Sequence, residues 1–488
     1  MSDEQKKIAD DRDESGLLDG KAVSRRDFLK IAGIAGATIG VGAGLGGLVA
    51  ACGGTTTTTA GPTTTVAPGT TTTSAVPTSS STTVTTAATA GREVKLGFVT
   101  PQTGSLASFG VADKYCVDLF KTIVGDGMVL GDGQKHPISV TLVDSQSNAN
   151  RSSQVAGDLI LNNKVDIIMA ASSGDNTTPV ADQAEANGVP SISTDTPWQA
   201  WYNRGGPAPK EGYKWTYHAF WGQEDNFGIY FDMWPQVANN KVVGVLWPND
   251  VDGNNYRAKW PDPMKAAGYK IIDGGSFQDG LEDFTDIITK FKEGGAEILS
   301  GVMSPPDFTN FWKQSKQQSY NPKISGVGKA LLFPQSVDAM GAIADGLATT
   351  IWWHPTYPFT SPLTNQTCQA FADAYETASG KQWTQPLLHF MVFEWAVDVL
   401  KRVKSVDDKQ QIVDAVSTTK VETIVGPIDF TQAVGATGST HPVPNVVRTP
   451  LSGGQWVKGA KFPFDLVICS DKNWSMIPVT TKLQPLTA

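Results

Sequence analysis

Cysteine and histidine are scarce in this chain of 488 residues, which contains four cysteines and five histidines. So few cysteines exclude a disulfide-rich scaffold, and those in apolar segments are expected to be buried free thiols. The cysteines are Cys52, Cys116, Cys368 and Cys469. The histidines are scattered without the spacing of metal ligands, so no metal site is predicted. They are His136, His218, His354, His389 and His441.

Common catalytic and nucleotide-binding motifs are also missing. The chain has no G-x-S-x-G elbow, no P-loop and no H-E-x-x-H sequence. Gly42, Gly44 and Gly47 match G-x-G-x-x-G, but no strand precedes them and no βαβ unit encloses them. No cofactor is therefore expected. The net charge of −9 argues against a nucleic-acid partner.

The first 91 residues lack the pattern of a folded domain. Ser24–Lys30 contains a twin-arginine export motif, and the uncharged stretch 31–51 ends in small residues before Cys52, as in a lipobox. A permanent transmembrane helix is the alternative, but the many glycines of this stretch weaken a helix. We predict an export signal over 1–51, lipidation at Cys52 and an unfolded Thr-rich linker over 52–91. The protein is then exported and lipid-anchored, at the outer face of the cytoplasmic membrane or in the periplasm.

From residue 92 onward, apolar strands alternate with amphipathic helices, and this alternation starts twice. Strands separated by helices of this length pair in parallel through right-handed crossovers. Residues 346–352 are interpreted as a strand that returns to the first lobe. We predict an α/β fold with two doubly wound, Rossmann-like lobes joined by a multi-strand hinge. The predicted division is 92–220 plus 352–422 for the first lobe and 221–351 plus 423–488 for the second.

Residues 94–110, VKLGFVTPQTGSLASFG, combine a strand, a polar turn and the start of a helix. Their T-P-x-T-G-x-L-A-x-x-G motif resembles the opening of the substrate-binding proteins of ABC importers, in the branched-chain amino-acid (Leu/Ile/Val-binding) group. Residues 423–430, TIVGPIDF, are similar to a late strand of that family. The resemblance implies a type I periplasmic-binding-protein fold that closes on a small ligand. It also implies an ABC permease as the membrane partner, and we expect a monomer.

The same resemblance assigns ligand-binding roles in the first lobe. Phe109 lies where an aromatic ring covers the ligand. Ser172 and Ser173 match a serine turn that binds a ligand carboxylate through hydroxyl and backbone N–H groups. Thr194 and Thr196 lie where a backbone carbonyl and a hydroxyl bind the amino and carboxylate groups of the ligand. Capping of helices by these hydroxyls remains the alternative.

The second lobe departs from the family pattern. Asp252 and Ser304 stand where amino-acid binders usually carry aromatic residues, and Lys329 stands where an acid commonly meets the ligand's ammonium group. Because Lys329 would repel an α-amino group, Asp252 or Asp195 is the candidate for the missing carboxylate. Trp247 directly follows an apolar strand and is predicted to line the cleft from this lobe.

Several tryptophans near strand ends are further candidates for stacking on a flat or sugar-like ligand, although core packing is their commoner role. They are Trp198, Trp201 and Trp221. The sequence predicts an extracytoplasmic solute-binding lipoprotein for a branched-chain amino acid or a related amide or carboxylate, and not an enzyme. Two alternatives stay open: a ligand-sensing lipoprotein that contacts a receptor, and a hydrolase with its active site in the cleft.

Overall fold

The computed structural model describes residues 88–487 apart from positions 205 and 208. The predicted export signal and Cys52 lie outside the described residues, as does nearly all of the predicted linker. Among the described residues, no helix is long and apolar enough to cross a membrane. The three cysteines of this part of the chain are buried free thiols.

The first sheet contains six strands that all pair in parallel. Across the sheet they are β15 (Val446–Val447), β7 (Thr216–Ala219), β6 (Ser191–Ser193), β5 (Ile167–Ala170), β1 (Val94–Thr100) and β4 (Ile138–Asp144). The helices that connect these strands are α1 (Asp113–Val124), α2 (Ala149–Leu161), α3 (Gly174–Asn187) and α4 (Trp198–Asn203). A separate antiparallel pair is formed by β2 (Met128–Val129) and β3 (Lys135–His136). Strand β1 is apolar and largely buried, as a strand covered on both faces requires.

The second sheet contains seven strands, of which β16 alone runs antiparallel to its neighbours. Across the sheet they are β17 (Phe464–Ser470), β16 (Ser452–Lys458), β12 (Ala348–Ile351), β11 (Ile324–Lys329), β10 (Ile298–Met303), β8 (Val242–Leu246) and β9 (Lys270–Asp273). Its helices are α5 (Gln223–Met233), α6 (Val251–Lys259), α7 (Pro261–Ala266), α8 (Thr285–Glu293), α9 (Pro305–Gln317) and α10 (Pro334–Asp338).

The segment between β12 and β15 supplies further helices and a hairpin. They are α11 (Cys368–Ser379), α12 (Phe390–Arg402), α13 (Lys409–Ser417), β13 (Lys420–Thr423) and β14 (Gly426–Asp429). Short 3₁₀ turns lie at Trp234–Gln236, Gly341–Ala344 and Gln385–His389. Helix α12 packs on the first sheet, where the ring of Phe393 meets that of Phe98 at a centroid distance of 5.5 Å.

The chain passes between the two sheets three times, after β7, after β12 and after β15. Two of these crossings run side by side, since the Phe220 N–H donates to the Val447 carbonyl at 3.1 Å. Three connections between the lobes restrict them to a hinge motion and prevent free relative movement. The predicted α/β fold with two lobes is confirmed.

Strand positions near the crossings differ from the sequence-based expectation. The prediction that 346–352 returns to the first lobe was wrong, because β12 lies between β11 and β16 in the second sheet. Strand β15 pairs with β7 in the first sheet, although it belongs to a segment that the sequence assigned to the second lobe. An apolar run identifies a buried strand but does not specify which sheet takes it up.

Candidate functional site

A small cavity lies between the two lobes. It is lined by residues at or near the carboxyl ends of strands, the edge at which parallel sheets of this type place their binding groups. The first lobe contributes Phe109, Ser173, Asp195 and Pro197. The second lobe contributes Asp252, Tyr256, Val302, Gly328, Lys329, Leu332 and Thr350. The crossings contribute Phe220, Trp221 and Trp352.

Aromatic rings form much of the cavity wall. The ring of Phe220 lies 4.9 Å from that of Trp221 and meets Trp352 edge to face at 5.6 Å, centroid to centroid. On the second lobe, Tyr256 stacks on Trp260 at 5.0 Å, which holds its ring in place. Rings fixed in this way offer rigid flat surfaces to a ligand, and their faces attract cations.

A buried cation lies between two carboxylates on the first-lobe side, and we call this group the histidine cluster (Asp113, His389, Asp195). Nδ1 of His389 is 2.7 Å from Asp113 Oδ1, and its Nε2 is 3.1 Å from Asp195 Oδ2. Gln102 Nε2 donates to the second oxygen of Asp113 at 3.1 Å. Both ring nitrogens face carboxylates, so a protonated imidazole donates at both ends.

The pKa values follow from this arrangement. Burial lowers the pKa of His389, but the two carboxylates outweigh it and raise the pKa to about 9. Burial raises the pKa of Asp195 to about 6, although the hydrogen bond from His389 opposes the rise. The two flanking carboxylates therefore favour the protonated form of His389.

The second lobe repeats this pattern with Lys329 between Asp250 and Asp252, and we call this group the lysine cluster. Lys329 Nζ lies 2.6 Å from Asp250 Oδ2 and 2.7 Å from Asp252 Oδ2. Asp250 also caps α6 by accepting from the Gly253 N–H at 2.5 Å. Burial lowers the pKa of Lys329, but the surrounding carboxylates raise it well above its usual value.

The two lobes contact each other beside the cavity. A Cβ added at Gly174, the first residue of α3, would lie only 2.5 Å from Val251 Cγ1 at the start of α6. It would also lie 3.6 Å from Asp252 Oδ1. Glycine at this position therefore allows the helix N-terminus of the first lobe to approach the second lobe closely.

Five of the sequence-predicted residues line the cavity: Phe109, Ser173, Asp195, Asp252 and Lys329. Ser173 also caps α3, because its hydroxyl accepts from the Asp175 N–H at 3.2 Å. Ser173 thus caps the helix and lines the cavity. Trp221, one of the three tryptophans proposed for stacking, lines the cavity as well.

The other predicted residues lie outside the lining. The Thr194 hydroxyl donates to the Ala219 carbonyl at 2.8 Å, and the Thr196 hydroxyl shares a hydrogen bond of 2.8 Å with Thr177. Both hydroxyls are therefore hydrogen-bonded within the first lobe. The remaining predicted residues also lie outside the lining: Ser172, Trp201, Trp247 and Ser304 are buried, and Trp198 is half-buried.

Sequence reasoning missed several residues that shape the site, above all Asp113, His389 and Asp250. Asp113 and His389 are separated by 276 positions and lie on or beside helices, where no local motif marks them. Asp250 stands two residues before Asp252 and had a detectable signal, since an Asp that precedes a helical pattern is typical of an N-cap.

Two α/β lobes with a cavity between them define a bilobal ligand-binding protein. The chain belongs to the periplasmic binding protein family, whose model, described as "Periplasmic binding protein", matches residues 93–445. The family resemblance predicted from the sequence is thereby confirmed. The family consists of solute-binding proteins.

Solved structures support the same fold. A leucine binding protein, LivK, from Thermotoga maritima MSB8 is 17% identical, with a TM-score of 0.62, and the match covers 76% of this chain and 97% of that one. The branched-chain amino acid transporter substrate binding protein LivJ from Streptococcus pneumoniae, in complex with isoleucine, is 16% identical with a TM-score of 0.58, covering 77% and 99%.

A third relative binds a different ligand. It is a solute binding protein of an ABC transporter from Rhodopseudomonas palustris BisB5, in complex with 3,4-dihydroxybenzoic acid. This protein is 19% identical with a TM-score of 0.61, and the match covers 78% of this chain and 96% of that one. At such identities the likeness shows the fold alone.

Proposed function

We propose that this protein captures a small solute between its two lobes and delivers it to an ABC import permease in the cytoplasmic membrane. The observation that carries the proposal is the cavity itself, which takes charged side chains from both lobes and aromatic rings from the crossings that join them. Two of the solved relatives named above are transporter proteins, one in complex with an amino acid and the other with an aromatic acid.

Capture proceeds in two steps in this proposal. The ligand first docks on the open first lobe, against Asp195, Ser173 and Phe109. Rotation about the three crossings then brings Asp252 and Lys329 onto its other side and excludes water. Micromolar binding requires about −8.2 kcal/mol. A few charge-assisted hydrogen bonds of about 1.5–3 kcal/mol each, with burial of aromatic surface, can supply that after ordering costs.

The export features of the sequence complete the proposal. Lipidation at Cys52 would hold the protein at the outer face of the membrane, and the Thr-rich linker would act as a tether. A chain of that composition reaches roughly 35 Å, from about 5–6 Å times the square root of its length. The closed lobes could then meet the permease without leaving the membrane surface.

A ligand screen by thermal shift and intrinsic tryptophan fluorescence tests the binding step. The panel contains amino acids, amides, aromatic acids, amines and short sugars. We expect at least one compound to stabilise the protein by about 2.7 kcal/mol at a concentration one hundred times its Kd. Conversion of any panel compound to a product would instead favour the cleft hydrolase.

Uptake by cells that produce this protein tests the delivery step. Deletion of its gene should abolish high-affinity uptake of the compound found in the screen and leave uptake of unrelated solutes unchanged. Unimpaired uptake, together with tight binding by the purified protein, would favour the sensing alternative over transport.

A further inference from the structure

The N-terminus of α3 already has a carboxylate beside it. The sequence assigned this serine turn to a carboxylate of the ligand, because helix N-terminal N–H groups attract anions. In the structure the Asp252 carboxylate of the second lobe lies there, with Oδ1 3.6 Å from the Cβ position of Gly174. Burial raises the pKa of Asp252, and the positive charge of Lys329 opposes the rise.

The charges around the cavity do not balance. The histidine cluster and the lysine cluster each place one cation between two carboxylates, so each carries a net charge of −1 when its members are ionised. Asp175 adds a further carboxyl at the start of α3, where burial raises its pKa to about 7. Acidic side chains therefore outnumber basic ones on both sides of the cavity.

Two carboxylates that line the cavity keep unused hydrogen-bonding capacity. Asp252 is 2% exposed and lines it, and its Oδ1 has no hydrogen-bond partner among the described residues. Asp195 is 4% exposed and meets His389 through Oδ2 alone. Buried carboxylate oxygens of this kind need donors, and leaving them unpaired is costly. A ligand that carries N–H donors would satisfy them.

We propose that the ligand is a small organic cation with an ammonium, amidinium or guanidinium group and without a carboxylate, and this inference rests on the proposed function. The cationic group lies between Asp195 and Asp252, one carboxylate from each lobe. Phe220, Trp221 and Trp352 line the same cavity, and the faces of aromatic rings favour positive charge. When the lobes close on a cation, the ligand's charge is balanced by the acidic groups of the cavity, whereas an anion would add charge of the same sign.

An amino acid or aromatic acid fits this cavity less well. Its carboxylate at the start of α3 would lie beside Asp252, and a like charge at that distance is unfavourable in a buried site. Lys329 offers no compensation, because two carboxylates already bind it. The predicted branched-chain amino acid is thus disfavoured, while a neutral amide remains a weaker competitor.

Isothermal titration with two matched sets of probes tests the inference on the wild-type protein. One set is benzamidine, benzamide and benzoate, and the other is isoamylamine, leucine and 4-methylpentanoate. We expect the cation of each set to bind most tightly. If a carboxylate, leucine or benzamide binds more tightly than the cation of its set, the inference is overturned while ligand capture stands. If no probe of either set binds, the inference is overturned for cations of this size, and the ligand screen described above decides the proposed function separately.

Variants that remove one negative charge test which carboxylate binds the cation. Asp195→Asn should weaken benzamidine binding by at least about tenfold and benzamide binding by less than about threefold. Asp252→Asn tests the carboxylate of the second lobe independently, by the same comparison of benzamidine with benzamide. Asp118→Asn is the matched control, since Asp118 lies exposed on α1 and pairs with Lys114. Equal losses for benzamidine and benzamide in both cavity variants would overturn the assignment.

Discussion

Phe109 of the first lobe and Phe333 of the second meet edge to face, with ring centroids 4.7 Å apart and planes at 73°. Phe109 follows β1 and lines the cavity, whereas Phe333 directly precedes α10. An aromatic pair of this geometry contributes about 0.5–1.5 kcal/mol beyond the area it buries. Because the two rings belong to different lobes, this contribution is available only when the lobes are closed.

Phe109→Ala should therefore weaken ligand binding by about tenfold while the protein remains folded. The loss comes from the closed state, which gives up the ring pair and part of the cavity wall. Phe109→Leu retains apolar bulk and should lose less. Titration followed by tryptophan fluorescence measures both variants, and unchanged affinity in Phe109→Ala would show that this contact plays no part in closure.

Gly174→Ala should obstruct closure without disturbing either lobe. The added methyl group would meet Val251 at 2.5 Å across the lobe boundary, closer than carbon atoms pack. We expect at least about a tenfold loss of ligand affinity and little change in the thermal stability of the ligand-free protein. Gly157→Ala on α2 is the control, because its nearest contact would be an ordinary 3.6 Å. Equal affinities in the two variants would contradict the closed arrangement.

The histidine cluster predicts a loss of stability at alkaline pH. The pKa of His389 is about 9 in the folded protein and 6.5 as the reference value, so the folded state holds the proton more tightly. Its contribution is complete below pH 6.5 and is lost as the pH rises through 9, on the order of 3 kcal/mol in total.

Urea unfolding at several pH values from 6 to 10 measures this loss. His389→Gln is less stable at neutral pH, since Asp113 and Asp195 lose their partner, but its stability should fall less steeply over this range. The slope, rather than the absolute stability, is the diagnostic quantity. Parallel pH profiles for the variant and the wild type would show that His389 is neutral in the folded protein.

Lys329→Met should be strongly destabilising. It leaves Asp250 and Asp252 buried side by side without their cation, and removal of one partner from a buried charge group typically costs about 3–5 kcal/mol. Lys323→Met is the control, since that lysine is half-exposed and its 3.0 Å pair with Glu297 should contribute less than about 1 kcal/mol. Urea unfolding at pH 7.5 compares the two, and similar losses would indicate that the lysine cluster is solvated.

The two-lobed fold could be predicted because strand and helix periodicity is local. Residue patterns alone placed a strand at the start of residues 94–110 and another directly before Trp247, where β1 and β8 lie. Assignment of β12 and β15 to the correct sheet failed, because an apolar strand fits a buried position in either sheet. The sheet that a strand joins depends on the connections before and after it and on the strands beside it. A local sequence pattern does not contain this information.

The cavity residues could be predicted in part, since strand ends of a parallel sheet share one edge. Asp195 reaches the cavity through a left-handed backbone with φ of 64°, while its neighbours Thr194 and Thr196 bond within the first lobe. The sequence motif could not distinguish these three orientations. The pairing of His389 with Asp113 depends on the packing of α12 against the first lobe, so it emerges only from the folded structure.

Distance measurement between the lobes tests the central claim most directly. Spin labels are placed at Leu161→Cys on α2 and Asp262→Cys on α7, and both positions are exposed. The described native cysteines are buried. Their thiols resist labelling because burial raises their pKa. Pulsed electron paramagnetic resonance then compares the protein with and without the tightest-binding compound of the panel. We predict that a broad distance distribution narrows to one shorter distance when the compound binds. An unchanged distribution at saturation would contradict capture by closure of the two lobes.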